Sequence, residues 1–170
     1  MDYHSDFHYN GPSSQCYPKS FAVILDSVAL LLKQKGSEVY SIPPDVTVYE
    51  ALVLMAEKDI GALVVMDGTE LVGIFSERDY VRKVILKGHS SKELQVRDIM
   101  TRPALTVSPR TSVDECMRII TSERCRHLAV AEEGRVVGVV SIGDVVNWII
   151  TTQDRTIHQL EGYISGNYTD

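Results

Sequence analysis

GIFSERDYV (73–81) is written a second time, 65 residues later, as GVVSIGDVV (138–146). Both stretches run Gly, two apolar residues, Ser, two free positions, Asp, and two further residues ending in Val. The correspondence extends without a gap over 41–81 and 106–146. Ten of those 41 positions are identical: Pro44/Pro109, Val48/Val113, Glu50/Glu115, Leu63/Leu128, Val65/Val130, Val72/Val137, Gly73/Gly138, Ser76/Ser141, Asp79/Asp144 and Val81/Val146. Many mismatches are like for like, such as Leu54/Ile119 and Ile74/Val139. The lack of gaps means that the turns have equal lengths, so the chain carries two copies of one supersecondary unit.

Within a copy the elements are legible. VYSI (39–42) and ALTV (104–107) are short strand-like pieces stopped by Pro44 and Pro109. TVYEALVLMAEK (47–58) places Val48, Ala51, Leu52 and Met55 at helical spacing. Thr47-x-x-Glu50 opens that helix as a capping box, and Ser112-x-x-Glu115 predicts the same box in the second copy. ALVVMDGTELVGIF (62–75) reads as a hairpin turning at Asp67-Gly68, and HLAVAEEGRVVGVV (127–140) as its twin with Gly134 in the turn. A second helix starts at each Ser-x-x-Asp. The order is β-α-β-β-α, twice, a mixed α/β (α+β) class. The strands are apolar on both faces, so helices must cover them. One copy of about sixty residues buries too little alone. Two pseudo-symmetric copies packed together solve this and bring equivalent loops to a central cleft.

The expected layout is a flexible terminus over 1–20 and an N-terminal helix with the first copy over 21–86. A linker with a short helix (87–103), the second copy (104–152) and a C-terminal helix and tail (153–170) follow. FAVILDSVALLL (21–32) is too short for a membrane span and carries Asp26, so it reads as a docking helix. VNWIITTQDRTIHQLEGYI (146–164) keeps an apolar helical stripe through Trp148, Ile149, Ile157, Leu160 and Ile164.

The 170 residues are 44% hydrophobic and 24% charged, ordinary for a soluble domain, with a formal net charge of −6. That sign argues against a broad nucleic-acid footprint, which needs clustered Lys and Arg. Cys16, Cys116 and Cys125 are odd in number and lack CxxC spacing, so a reducing cytoplasm is expected. Cys116 and Cys125 replace Ala51 and Ile60 of the first copy and read as small buried hydrophobes. His4 and His8 near Asp2 and Asp6 read as part of a mobile, biased terminus. An enzyme built on Ser141, Asp144 and His127 has no nucleophile motif, metal cluster or Gly-rich phosphate loop behind it.

Ser-x-x-Asp has two readings. Ser is a good N-cap, and an acid in the first turn suits the helix dipole. Against pure capping, the other boxes of this chain use Glu, and the shorter Asp is expected to reach back less easily. Each turn also lies at the carboxyl end of a strand facing a helix N-terminus, where N–H groups favour anions. A carboxylate there can accept two hydrogen bonds from a vicinal diol, which suits a ribose phosphate.

The tandem β-α-β-β-α copies with Gly-h-h-Ser-x-x-Asp after the third strand resemble the cystathionine-β-synthase (CBS) domain pair, or Bateman module. GALVVM, GIFSERDYVRK, VRDIM, RHLAV and GVVSIGDVV match its small stand-alone members, over about 36–165. The resemblance implies a non-enzymatic sensor that binds an adenosine ligand (AMP, ADP, ATP or NAD(H)) and signals to an unknown protein target, with no catalytic cofactor. It gives Asp79 and Asp144 the ribose hydroxyls, with Ser76 and Ser141 beside them. It places the base of one site against Tyr40, Ser41, Gly61, Ala62 and Ile74. The base of the other lies against Leu105, Thr106, Cys125 to His127, and Val139. Arg126 and His127, with Arg78, take the phosphates. Arg126-His127 stands where the first copy has Gly61-Ala62, so the two sites are expected to differ in ligand preference. Family members commonly dimerise, and a homodimer is expected, with no membrane contact. Ala129 stands where the family often has Pro, and a local backbone change is expected there. The alternative is a structural or partner-binding protein whose clefts hold no ligand.

Overall fold

The computed structural model describes residues 26–165, with side chains to Gln153. Residues 1–25, which include His4, His8, Cys16 and the start of the expected docking helix, lie outside the described residues. So do the side chains of Ile157, Leu160 and Ile164. The elements are α1 (Val28–Lys35), β1 (Ser41–Ile42), α2 (Val48–Lys58), β2 (Ala62–Asp67), β3 (Glu70–Ser76) and α3 (Glu77–Lys83). A 3-10 turn (Ile85–Lys87), α4 (Val96–Ile99), β4 (Thr106–Val107), α5 (Val113–Ser122), β5 (His127–Glu132), β6 (Arg135–Ser141) and α6 (Ile142–Ser165) follow. Two three-stranded sheets result, β1-β2-β3 and β4-β5-β6, each with a parallel first pair and an antiparallel hairpin. The β-α-β-β-α repeat read from the sequence is therefore present twice.

The copies agree in detail. In the first hairpin Val65 pairs with Gly73 and Met66 with Leu71, so the register slips by one residue. The second repeats the slip at Val130/Gly138 and Ala131/Val136. Such a bulge bends the strand and re-aims its side chains. The helix openings agree less well. Thr47 and Glu50 form a complete capping box. Ser112 accepts from the Glu115 N–H at 3.2 Å, but Glu115 does not reach back, so the predicted second box is only half formed. Ala129 takes part in the sheet as its counterpart in the first copy does. Its N–H donates to the Leu105 carbonyl at 3.0 Å, as the Val64 N–H does to Tyr40 at 3.1 Å. A proline there would lack the donor.

Chain order does not decide which core a helix joins. α1 precedes the first copy, yet Val28, Leu31 and Leu32 are buried with Val107, Val113, Ile120, Leu128 and Trp148 of the second. Backbone bonds fix it there, from Val28 to Thr111, Ala29 to Pro109, and Val113 to Asp26. The Trp148 indole donates to the Asp26 carboxylate at 3.0 Å. Conversely, Val96, Ile99 and Met100 of the linker lie in the first copy's core with Val48, Met55, Leu63, Val65 and Phe75. Leader segments are thus exchanged between the copies.

The bulge glycines make the exchange possible. A Cβ on Gly73 would sit 2.7 Å from Met100 Sδ and 3.0 Å from the Thr101 carbonyl. One on Gly138 would sit 2.7 Å from Leu32. Gly73→Ala therefore forces the linker off the sheet and should lower stability by about 1–3 kcal/mol. An unchanged denaturant midpoint would refute this account of the close approach.

Candidate functional site

Period two along each strand leaves a second buried face. Val64 and Ile74 are paired across the first sheet and buried, yet belong to neither core. They face away from the helices that cover Leu63 and Val65. Ile74 opens onto a cleft of about 620 Å³ whose wall is drawn from both copies. From the first copy come Ile74, Ser76, Arg78 and Asp79, and from the second Leu105, Cys125, Arg126 and His127. One direct tie spans it: Arg78 Nη1 donates to the Arg124 carbonyl at 2.8 Å.

This cleft joins one half of each residue set that the resemblance implied. Tyr40, Ser41, Gly61, Ala62, Thr106, Val139, Ser141 and Asp144 do not line it. Ser41 lines a separate hollow of about 400 Å³ with Asp45, Asp67 and Arg97. Lys58 lies 5.3 Å from the centre of the Tyr40 ring. Gly61 lies beside His127, whose Nε2 would be 3.8 Å from an added Cβ. Thr106 is exposed and Val139 half-buried.

Asp79 sits at the N-terminus of α3. Its Oδ2 accepts from the Ser76 N–H (3.1 Å) and hydroxyl (2.6 Å), while the Asp79 N–H donates to Ser76 Oγ at 3.3 Å. Both Ser-x-x-Asp turns close in this way, since Asp144 Oδ2 accepts from the Ser141 N–H and hydroxyl at 2.7 and 2.8 Å. The expectation that Asp reaches back less easily than Glu is corrected. The extended Ser76 backbone (ψ 160°) brings its N–H over the first turn, within reach of a short side chain.

The two carboxylates differ in their other partners. Asp79 is buried, and its Oδ1 accepts from the Thr101 hydroxyl (2.9 Å) and pairs with Lys83 (2.7 Å). Both its oxygens are satisfied inside the chain. Asp144 is half-buried, and Lys35 from α1 meets its Oδ2 at 2.5 Å. Its Oδ1 has no partner among the described residues. Burial pushes the Asp144 carboxyl up, but Lys35 and the two Ser141 donors outweigh it and hold it below the ordinary value. Sequence reasoning passed over Lys83, Lys35 and Thr101. Lys83 stands four residues after Asp79 and was readable as a helical ion pair. Thr101 reaches its place through the bridge between Ile74 and Thr101, which no local pattern announces.

His127 is half-buried at the start of β5. Burial lowers its pKa, Lys35 and Arg126 add to the effect, and Asp144 and Asp79 partly offset it. A histidine whose folded pKa is depressed contributes stability above its unfolded pKa of about 6.5, and that stability is lost as pH falls through the folded value. The melting temperature should therefore decline below about pH 6.5, and less steeply in His127→Gln. Equal acid slopes for the two proteins would show that His127 is not the group responsible. Loss through Asp144 comes later, below about pH 4, because its pKa is also depressed. Cys116 is buried and its thiol is pushed up to about 11, while Cys125 lies half-buried in the cleft wall.

A family model for the CBS domain matches residues 36–86 and 96–151. The chain belongs to the CBS domain family. A Burkholderia ambifaria protein of solved structure, with CBS domains and a suggested signal-transduction role, is 46% identical. It superposes with a TM-score of 0.73, covering 75% of this chain and 96% of that one. The mitochondrial CBS domain-containing protein CBSX3 of Arabidopsis thaliana is 43% identical over 129 residues, 73% of this chain. The match spans 63% of the Arabidopsis protein. A hexameric CBS-CP12 protein from bloom-forming cyanobacteria is 29% identical with a TM-score of 0.66, covering 72% of this chain and 71% of that one. The chain thus carries two CBS domains, and a structural relative with CBS domains assembles as a hexamer. No helix among the described residues is long and apolar enough to cross a membrane.

Proposed function

We propose that this CBS pair is a non-enzymatic sensor that binds an adenosine-containing ligand (AMP, ADP, ATP or NAD(H)) and passes its occupancy to a partner protein in the cytoplasm. The observation that carries this reading is the cleft built from both copies, with Asp79 at its floor, an apolar wall of Ile74 and Leu105, and arginines at its rim. Its volume of about 620 Å³ falls in the range of small-molecule sites. A ligand spanning both copies shifts their relative placement only if it binds two arrangements with different affinity. We further place the protein in a homodimer. Val81 and Ile85 of the first copy, and Val146 and Ile150 at the equivalent positions of the second, form exposed apolar faces that a second copy would cover.

Thermal shift and calorimetry with AMP, ATP, NADH and S-adenosylmethionine test the sensor. A ligand at a hundredfold excess over its Kd stabilises by about 2.7 kcal/mol. A second reading, a structural or partner-binding protein whose cleft holds no ligand, has one observation in its favour: Asp79 already has all its hydrogen-bond partners within the chain. Absence of a shift with every adenosine compound would establish that reading instead.

A further inference from the structure

We propose that the cleft selects nucleotides by the charge of the phosphate chain and takes a nucleoside triphosphate in preference to a monophosphate, with Arg82 and Arg124 as the residues that set this preference. The inference rests on the sensor reading above. It starts from a mismatch of charge, since the chain as a whole carries −6 while this one cleft gathers cations. Arg78, Arg82, Lys83, Arg124 and Arg126 line it, against only Asp79 and Glu123. Lys83 is neutralised by Asp79, and Arg78 has a hydrogen bond across to the Arg124 carbonyl. The side chains of Arg82, Arg124 and Arg126 have no hydrogen-bond or ion-pair partner among the described residues. Three uncommitted guanidiniums around one cavity form a site for an anion of more than two charges, because planar forks match phosphate oxygens.

The two copies supply an internal control. Arg78 and Arg82 correspond by the 65-residue offset to Gly143 and Asn147, and Arg124 and Arg126 to Asp59 and Gly61. All four arginines of the Asp79 cleft are thus absent around Asp144, although the hairpins, bulges and Ser-x-x-Asp turns are the same. Arg78 ties the two copies together, but the side chains of Arg82, Arg124 and Arg126 make no such bond among the described residues, so their confinement to one side marks a function of that side. Their order suits an extended anion. Asp79 and the Arg78 tie lie at the base of α3, and Arg82 follows one turn, about 5.4 Å, further along the same face. Arg124 approaches from the opposite wall. A ribose held at Asp79 would run its phosphates outward between them, and a chain with one phosphate would end short of Arg82. A dinucleotide is disfavoured, because its two phosphates carry one charge each.

The test is calorimetric titration of the full chain with adenosine, AMP, ADP and ATP, in chelator to keep magnesium from masking phosphate charge. ATP should bind at least about tenfold more tightly than AMP, the low end of a charge-assisted hydrogen bond at an open rim. Raising the salt should shrink that gap. Arg82→Gln/Arg124→Gln should bring ATP to within about threefold of AMP by weakening ATP far more than AMP, and Arg82→Lys/Arg124→Lys should restore part of the preference. Far-UV circular dichroism and the melting temperature confirm that each variant is folded. AMP binding as tightly as ATP, or a preference that survives the glutamine variant, would overturn this inference and leave the sensor intact. No binding by any of the four compounds would overturn both.

Discussion

Asp79→Ala should lower the stability of the ligand-free protein by about 1–3 kcal/mol and weaken adenosine-ligand binding roughly ten- to hundredfold. The first effect combines loss of the N-cap partner, about 1 kcal/mol, with loss of the acceptor for Thr101 and Lys83. Lys83 is about a third exposed, so its unpaired ammonium turns to water and adds little. The second effect is that of charge-assisted hydrogen bonds to ribose hydroxyls, about 1.5–3 kcal/mol. The two effects are separable. Thr101→Val removes the internal donor and leaves Asp79 Oδ1 one partner short, so it should cost apo stability yet tighten ligand binding. Denaturant melts paired with calorimetry measure both. If Asp79→Ala loses stability but binds every nucleotide as the parent does, the carboxylate is a helix cap and nothing more.

Leu31→Ala should cost about 2–5 kcal/mol, the range for emptying a fully buried leucine site. More telling is where the loosening falls. Leu31 precedes the first copy but is buried among Val113, Ile120 and Leu128 of the second. Amide exchange should therefore accelerate in β4, β5 and β6 and much less in β1, β2 and β3. Val96→Ala should give the mirror result, because Val96 is buried with Val48 and Phe75. If Leu31→Ala loosens β1–β3 first, the exchanged packing is wrong.

These expectations separate what was readable from what was not. The ungapped repeat, the hairpin turns and Thr47-x-x-Glu50 are local patterns, and each predicts its element without knowledge of the partner surface. The Ser-x-x-Asp turns are legible in place but not in strength, since the reach of Asp depends on the extended backbone at Ser76, which residue type alone does not specify. Ser112-x-x-Glu115 erred the other way, a complete motif that closes only one of its two bonds. Thr101 carried no signal at all, because its contact with Asp79 arises from a bridge across 27 residues of chain.

By itself, the sequence determined two copies of β-α-β-β-α, their equal turn lengths, the paired Ser-x-x-Asp turns and the asymmetry of charge between them. All of these follow from spacing along the chain, where hydrophobic period and turn chemistry act over a few residues. Tertiary structure alone decided that α1 joins the second core and the linker the first. It also decided that the cleft combines Asp79 with His127 rather than keeping each copy's residues apart. The reason is steric and long-range. Leu32 fits over Gly138 and Met100 over Gly73, and a glycine shows that something approaches closely without showing what.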